Sequence, residues 1–310
     1  MTTPDLSVEI AGITFQNPVM QGAGTFGEEY ADFVDFTKLG AIVPKSVTEH
    51  PRPGNPPPRI VETPAGMVNA IGVENPGVDW YLNELVPRLR RYGVPIIASV
   101  YGEGDLDSYR RITGRFSSRT GVAAVELDLK FFSNPDEVNK VVSVCVGETD
   151  IPVFVKLTPF LGDNVERAIA AEAGGARALT LGNTIRAMVI DIEKRRPRLG
   201  GVVGGLSGPC IRPIGVKIVW DAAAEVRVPI IGVGGITDGP SAIEYLLAGA
   251  TAVAVGSYNF VNPWATLDVI EGISHYLAEN GFASVREIVG LARRNFEAET
   301  ATPGEPRDLV

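Results

Sequence analysis

The chain has 310 residues, of which 45% are hydrophobic and 21% charged, a composition that is ordinary for a globular enzyme. Its net charge of −9 argues against nonspecific binding to nucleic acid or acidic membranes. Two cysteines and two histidines exclude a disulfide framework, and no spacing among them resembles a zinc or other metal site. Because the N-terminus lacks a signal-peptide pattern and no apolar run approaches the roughly 20 residues that span a bilayer, we expect a cytoplasmic protein.

Short runs rich in apolar and β-branched residues recur along the chain and end in small or polar residues. They span residues 18–24, 41–47, 95–100, 123–129, 152–157, 178–182, 229–233 and 252–256. Helical periodicity predicts intervening helices at 136–146, 164–173, 214–226 and 240–248. Apolar strands that alternate with helices are typical of a covered parallel sheet. The pattern predicts an α/β fold, a single-domain (βα)8 TIM barrel over residues 1–310 with a polar tail from about residue 297.

Two segments interrupt the alternation. Residues 49–81 are rich in Pro, Gly and Asn, and residues 185–207 form a second long excursion after the sixth strand. Long loops that follow barrel strands leave from the C-terminal face, where barrel enzymes carry their active sites. We therefore expect both segments to help build the functional site.

The last two predicted strands both run into glycines. The seventh ends at Gly234 and Gly235, followed by Asp238 and a helix, and the eighth ends at Gly256 and Ser257. Glycines let backbone N–H groups approach a phosphate, and a helix N-terminus adds partial positive charge. Tight turns alone would also use glycines, but paired loops after strands seven and eight are the recurrent phosphate site of these barrels. No G-x-G-x-x-G follows the first strand, which argues against a Rossmann site.

Small residues and lysines at other strand ends suggest a flat anionic ring beside this phosphate. Ala23 and Gly24 end the first strand, where a ring could lie against backbone. Lys45 and Lys156 end the second and fifth strands, and a lysine in an apolar strand is costly unless it meets an anion. Reduced flavin is anionic at its N1/O2 edge, so such a lysine would stabilise hydride arrival. Either lysine alone could instead extend to the solvent at the rim.

Several motifs make the sequence similar to a known family. They are 44–46 (PKS), 54–56 (GNP), 58–60 (PRI), 62–64 (ETP), 66–72 (GMVNAIG), 75–77 (NPG), 182–184 (GNT), 204–209 (GGLSGP), 234–236 (GGI) and 256–257 (GS). In this order, from about Val8 to Val261, the chain resembles class 1 dihydroorotate dehydrogenases, most closely the class 1B catalytic subunit. That family binds FMN and oxidises dihydroorotate to orotate: a base removes a proton from C5, and hydride leaves C6 for flavin N5.

The resemblance implies the site residues position by position. The FMN contacts would be Ala23, Gly24, Lys45, Ser46, Ser99, Asp128, Lys156, Gly182, Gly208, Gly234, Gly235, Gly256 and Ser257. The pocket for a pyrimidine-like substrate would be Lys45, Asn69, Ala70, Ile71, Gly72, Val73, Asn183 and Thr184. The resemblance also implies a homodimer and a partner subunit that carries FAD and an iron–sulfur cluster and passes electrons to NAD.

The fourth strand departs from the family. The family has E-L-N-x-S-C-P-N and a glycine-rich flap, whereas this chain has ELDLKFFSNP at 126–135 and enters its helix at once. Phe131, at the position of the base cysteine, cannot accept a proton. Asp128 replaces an asparagine and, if ionised, would repel the carboxylate of orotate. Neither Cys145 nor Cys210 stands where it could replace the base.

Other bases are conceivable. Ser133 could act through a water relay, as serine does in class 2 relatives, and Lys130 or Asp128 could act if burial shifted its pKa. The sequence is also compatible with a Lys130 that is simply an exposed charge in a loop. With Lys45 beside the flavin, Lys130 and Ser133 are the candidate catalytic residues. Three alternatives to dihydroorotate oxidation stay open: a relative acting on a different small cyclic substrate, an FMN-binding subunit without turnover, and a flavin-free barrel lyase or isomerase.

Overall fold

A computed structural model describes residues 3–300 and has the predicted alternation of strands and helices. The strands are β1 Val8–Ile10, β2 Ile13–Phe15, β3 Val19–Gln21, β4 Ile60–Thr63, β5 Gly66–Asn69, β6 Ile97–Val100, β7 Ala124–Asp128, β8 Val153–Leu157, β9 Ala178–Leu181, β10 Ile185–Ala187, β11 Ile190–Asp191, β12 Arg196–Pro197, β13 Gly204–Ser207, β14 Ile230–Val233 and β15 Ala252–Val255. The α-helices are α1 Val78–Trp80, α2 Val86–Leu89, α3 Leu106–Thr113, α4 Pro135–Val146, α5 Asn164–Ala173, α6 Arg212–Glu225, α7 Gly239–Ala248, α8 Ala265–Glu279 and α9 Leu291–Thr300.

Parallel strands form the wall of a (βα)8 barrel, as predicted. Seven are joined in the order β3-β15-β14-β9-β8-β7-β6. Residues 41–47 occupy the eighth place and close the barrel through isolated bridges, which join Met20 to Ala41, Ile42 to Ile96 and Val47 to Val100. The core is the apolar layer between this wall and the surrounding helices.

The eighth barrel position differs from prediction, because residues 41–47 do not form a regular strand. Pro44 lies in the middle of the run and has no N–H to donate to a ladder. On the side of β3, the amide of Gln21 replaces strand pairing: it donates to the carbonyl of Ala41 (3.2 Å) and accepts from the N–H of Val43 (2.9 Å). The barrel is therefore closed here partly by a side chain.

The helices begin where side chains can cap them. Asn134 caps α4 and precedes a proline in its first turn, and Asp163 caps α5 by accepting from the N–H groups of Val165 and Glu166. The predicted bounds of α5 are confirmed, and those of α4 and α7 differ by one residue at the start. Within residues 3–300, no helix is both long and apolar enough to cross a membrane.

The two long excursions contain strands rather than loops alone, which corrects the prediction. They pair in an antiparallel sheet of order β10-β13-β5-β4, in which Gly205 lies opposite Asn69. A small apolar cluster that includes Val61, Val68 and Leu199 packs this sheet. The two excursions are thus one unit, and its residues at β5 and β13 line the cavity described below.

The first described residues of the chain meet the segment between α8 and α9 at the other end of the barrel. The β1–β2 hairpin leads directly into the N-terminal end of β3. Arg286 donates to a carboxylate oxygen of Asp5 (2.6 Å) and to the carbonyl of Ser7 (2.9 Å), and Asp5 pairs with Ser284. Of the predicted polar tail, residues 297–300 belong to helix α9, which corrects the expectation, and residues 301–310 lie outside the described residues.

Candidate active site

A cavity of about 560 Å³ lies at the C-terminal ends of the barrel strands, under the antiparallel sheet. This volume lies in the range of sites that enclose a small molecule or cofactor. Its lining residues are Gly22, Ala23, Gly24, Thr25, Lys45, Ser46, Ile60, Met67, Asn69, Ala70, Ile71, Gly72, Val73, Asp128, Lys130, Lys156, Asn183, Thr184, Val203, Gly204, Gly205, Ser207, Ile211, Val233, Gly234, Gly235, Gly256, Ser257 and Phe260. Most of the predicted site residues are therefore brought together in one place.

Bare backbone faces the cavity at the ends of β14 and β15. Gly235 has a φ of +67°, and an added Cβ would lie 2.8 Å from both the backbone N of Arg212 and the carbonyl oxygen of Gly208. An added Cβ at Gly256 would meet no atom within 4 Å, so open space lies beside that backbone. A short 3₁₀ turn, Ser257–Phe260, starts directly after Gly256. Such paired strand ends with a short extra helix are the usual phosphate site of this fold.

The long helix after β14 does not contribute as the sequence suggested. Asp238 caps α7 by accepting from the N–H of Ser241 (2.9 Å), and the hydroxyl of Ser241 accepts from the N–H groups of Thr237 and Asp238. These side chains satisfy the start of α7 internally. Neither Asp238 nor Gly239 lines the cavity, so the bare backbone that could hold a phosphate consists of the strand ends and the short turn, which we call the phosphate cradle.

Tyr245 of α7 holds the cradle from behind. Its fully buried hydroxyl donates to the carbonyl of Gly234 (2.7 Å), and its ring fills the space beside Gly232. We predict that Tyr245→Phe lowers the free energy of unfolding by about 1 kcal/mol because one buried carbonyl loses its partner. Urea denaturation measures this change. Tyr276→Phe on partly exposed α8 is the control, and equal effects of the two substitutions would contradict the assignment.

Two lysines extend along the middle of the cavity. Lys45 crosses the face of Gly24, where an added Cβ would lie 2.6 Å from Lys45 Cδ and 2.9 Å from its Nζ. Lys156, in β8, is 9% exposed and has no carboxylate within ion-pair distance among the described residues. Burial and then the positive charges of Lys130 and Lys156 lower the pKa of Lys45. Buried cations of this kind indicate an anionic ligand.

Amide side chains line the opposite wall. Asn69 donates to the carbonyl of Gly205 (3.3 Å) and is thereby held by the pairing of β5 with β13. Asn183 donates to Asp128 Oδ1 and Thr158 Oγ1, both at 3.2 Å, and accepts from the N–H of Thr184 (2.8 Å). Fixed amides of this kind can recognise the edge of a ring that carries both donors and acceptors.

Three successive backbone N–H groups lie beside these amides. Gly72 and Val73 have φ values of +78° and +55°, an unusual turn for a valine. Within residues 3–300, none of the N–H groups of Ile71, Gly72 and Val73 donates a hydrogen bond. All three residues line the cavity. Adjacent free N–H groups in a turn form an anion-binding concavity, which we call the amide nest.

The connection after β7 corrects two expectations about the fourth strand. Lys130 lines the cavity and its Nζ lies 4.1 Å from the centroid of the Tyr101 ring, so it is not an exposed loop charge. Burial lowers the pKa of Lys130; the charge of Asp128 raises it, and those of Lys156 and Arg52 lower it further. Ser133 is exposed and does not line the cavity, which removes it from hydrogen-bond reach of a ligand there.

Three other predicted contact residues lie behind the lining. Ser99 is fully buried and shares a hydrogen bond of 2.9 Å with Ser46, which does line the cavity. Gly182 and Gly208 have φ values of +123° and +114°, and their missing side chains allow close backbone packing: an added Cβ would lie 1.9 Å from the carbonyl oxygen of Val233 and 2.5 Å from Gly66 Cα, respectively. These residues shape the site from its second layer.

Sequence reasoning missed several residues. Phe260, Ile211 and Val203 line the cavity, and Tyr101 supports Lys130. Ile211 follows the GGLSGP motif closely and could have been found from it, whereas nothing in the local pattern marks Tyr101. Among residues 3–300, no group of three or more His, Cys, Asp or Glu side chains is arranged to hold a metal ion.

The fold and the site together define a class: a (βα)8 barrel with a cavity at the C-terminal ends of its strands, where the last two strand ends offer bare backbone of the kind that binds a cofactor phosphate in this fold. The family model for dihydroorotate dehydrogenase matches residues 5–277. The chain is 47% identical over 300 residues to the dihydroorotate dehydrogenase B (NAD(+)) catalytic subunit of Desulforudis audaxviator, covering 93% of this chain and 97% of that protein. The same subunit of Geotalea uraniireducens and that of Geobacter sulfurreducens are each 45% identical over 302 residues, covering 94% of this chain and 99% of each relative.

The chain therefore belongs to the dihydroorotate dehydrogenase family, which confirms the resemblance seen in its motifs. It is an oxidoreductase of the group that acts on CH–CH bonds, and its family uses FMN as cofactor.

Proposed function

We propose that the protein oxidises dihydroorotate to orotate as an FMN-dependent dehydrogenase. One observation carries the proposal: a single cavity joins a bare-backbone phosphate cradle, two lysines, of which Lys156 is buried and Lys45 partly buried, and a wall of amides with a free amide nest. The cradle suits a phosphate, the lysines suit the edge of a flat anionic ring, and the amide wall with its nest suits a cyclic imide that carries a carboxylate. The names of the similar subunits support this substrate.

The residues present fit FMN. Gly234, Gly235, Gly256 and Ser257 would hold its phosphate, because the space beside Gly256 is open. Ala23, Gly24 and Ser46 would lie against its ring, with Lys45 and Lys156 at the edge that becomes negative. Asp128 lines the cavity near this position, and Ser99, Gly182 and Gly208 would act through their neighbours. When bound, FMN supplies the hydride acceptor.

The other wall would bind the substrate. The amide nest at Ile71, Gly72 and Val73 would take its carboxylate, with Ala70 beside it, while Asn69, Asn183 and Thr184 would bind its ring amides. This arrangement leaves the end of β7 for the carbon that loses a proton. In this orientation the N–H groups of the amide nest bind the substrate carboxylate. They take over the role of the asparagine that the family has at the position of Asp128.

We propose Lys130 as the acceptor of the C5 proton in place of the missing cysteine. It lines the cavity, and it offers a lone pair only when neutral. Because burial and the nearby cations lower its pKa, the neutral amine becomes available at a lower pH than for an ordinary lysine. Asp128 also lines the cavity and partly offsets this effect. Ser133 is the weaker candidate because it is exposed outside the cavity.

A second candidate substrate is a different small cyclic amide. Asp128 is 8% exposed and places a carboxylate in the cavity wall. A carboxylate accepts hydrogen bonds and repels other anions. It therefore favours a ligand that presents an N–H donor at this place over a ligand that presents a carboxylate. The reaction type and the role of FMN stay the same in this alternative.

Membership of the family suggests the oligomeric state, the partner and the location of the protein. We propose a homodimer that works with an FAD- and iron–sulfur-containing subunit delivering electrons to NAD, in the cytoplasm and in pyrimidine biosynthesis. The words "catalytic subunit" in the names of the similar proteins support a partner. We also propose that residues 1–310 form a single FMN-binding domain.

Anaerobic titration of the purified protein tests the function. We expect a bound-flavin visible spectrum that bleaches promptly when dihydroorotate is added, because the cavity would hold substrate and cofactor together. A spectrum that persists with dihydroorotate but bleaches with another cyclic amide would establish the second candidate. A protein that carries no flavin after FMN titration and removal of the unbound FMN would contradict the cofactor assignment.

A further inference from the structure

The amine of Lys130 lies over an aromatic ring. Lys130 Nζ is 4.1 Å from the centroid of the Tyr101 ring, within the range of a cation–π contact. Phe131, the next residue along the chain, is 53% exposed and lies outside the cavity lining. Its ring centroid is 6.0 Å from that of Tyr101 and 5.9 Å from Lys130 Nζ, so Tyr101 makes the closer of the two aromatic contacts with the amine. The short connection after β7 therefore packs against Tyr101, and it places the ammonium of Lys130 on the side of the cavity.

Tyr101 is a fixed platform for this contact. It directly follows β6, is 5% exposed, and its N–H donates to the carbonyl of Val47 (2.9 Å). The guanidinium of Arg52 lies 6.0 Å from the centroid of the same ring. Because the ring is buried and its backbone is part of the barrel wall, its position does not depend on the loop that carries Lys130.

The charges around Lys130 explain what this platform adds. Asp128 from the same strand end attracts its ammonium, while Lys156 from β8 and Arg52 repel it, and Lys45 lines the same cavity. A second carboxylate would stabilise the ammonium but would repel an anionic substrate. The face of an aromatic ring stabilises a cation without carrying a net charge.

We propose that Tyr101 is a positioning residue for Lys130: its ring face holds the amine at the cavity and stabilises the ammonium that forms on proton transfer. This inference rests on the proposed function. In the step, the C5–H bond of the substrate breaks and an N–H bond forms on Lys130. The released electron pair becomes the C5=C6 double bond as hydride leaves C6 for the hydride acceptor, and the proton leaves Lys130 for solvent.

Two substitutions of Tyr101 separate the ring face from the hydroxyl. Tyr101→Phe keeps the face, and Tyr101→Met keeps most of the buried volume without it. The pKa of Lys130 is measured by competitive labelling with acetic anhydride across pH, followed by mass spectrometry of its peptide. The rate constant for anaerobic reduction by dihydroorotate is measured over the same pH range in stopped flow.

We expect Tyr101→Phe to match the parent protein within twofold. In Tyr101→Met, the labelling pKa and the rising limb of the rate profile should both move to lower pH by about half to one unit, because the ammonium loses its π contact. The plateau rate should fall about tenfold, because the base is no longer held in place.

An unchanged labelling pKa in Tyr101→Met would overturn the proposal, and so would a lower plateau without a shifted limb, which is what a merely structural residue would produce. If Tyr101→Met does not fold, Tyr101→Leu takes its place under the same criteria. If dihydroorotate does not reduce the parent protein, the proposed function fails, while the labelling experiment still decides whether Tyr101 sets the pKa of Lys130.

Discussion

Replacing Lys130 by methionine is expected to lower the rate constant for reduction of the bound flavin by dihydroorotate about a thousandfold, because a positioned base contributes between a hundredfold and ten-thousandfold. Methionine keeps most of the side-chain length and removes the lone pair. The flavin content should not change, since the phosphate cradle lies at the ends of β14 and β15 and not at β7. Stopped-flow absorbance under anaerobic conditions measures the rate.

The matched control is Ser133→Ala in the same connection. Ser133 is exposed outside the cavity, so its substitution should leave the rate within twofold. In the parent protein the rate should rise with pH and reach half its maximum below the ordinary lysine pKa, since burial lowers the pKa of Lys130 and the neutral form is the active one. A loss of rate in Ser133→Ala with a retained rate in Lys130→Met would reverse the assignment.

Filling the phosphate cradle should give a folded but colourless protein. An added Cβ at Gly256 meets no atom within 4 Å, so the side chain of Gly256→Leu would extend into the space assigned to the cofactor phosphate. We expect FMN affinity to fall at least a hundredfold, because a charged group would lose several hydrogen bonds to backbone. Flavin fluorescence released on ultrafiltration measures the retained fraction.

Gly147→Leu controls for the general effect of replacing a glycine. Gly147 is exposed at the end of α4, has a φ of −72° and tolerates a Cβ at ordinary contact distance. This variant should stay yellow, and thermal melts should show that both variants fold. Full retention of FMN by Gly256→Leu would exclude the β15 end as the phosphate site.

The barrel was predictable where each strand is apolar along its length and enclosed by helices. β9 and β14 lie within the predicted runs for this reason. Residues 41–47 have the same composition, but Pro44 and the side chain of Gln21 replace regular pairing. The antiparallel sheet was missed because β5 and β13 contain glycines and pair across more than a hundred residues, where no local pattern reports the partner.

The bare backbone that faces the cavity at the ends of β14 and β15 was predictable, because glycines at strand ends leave backbone groups uncovered. The end of the site at β7, where the sequence departs from the family, was not predictable. Lys130 was compatible with an exposed position, and only the folded connection brings it to Tyr101. An aromatic residue after a strand usually belongs to the core, so the sequence alone gave no reason to connect the two.

The hydrogen bond of Asp5 with Arg286 and its backbone bridge to Ser284 lie at the N-terminal end of the barrel, opposite the strand ends that form the cavity. Hydrogen bonds from Ser7 and then Arg286 hold the pKa of Asp5 at about 2, so its charge persists through all but strongly acidic conditions. The contacts that join the first described residues to the segment after α8 are thus separated by the length of the barrel from the end of β7. A substitution at the cavity leaves these contacts unchanged, so the two ends of the barrel can be altered independently.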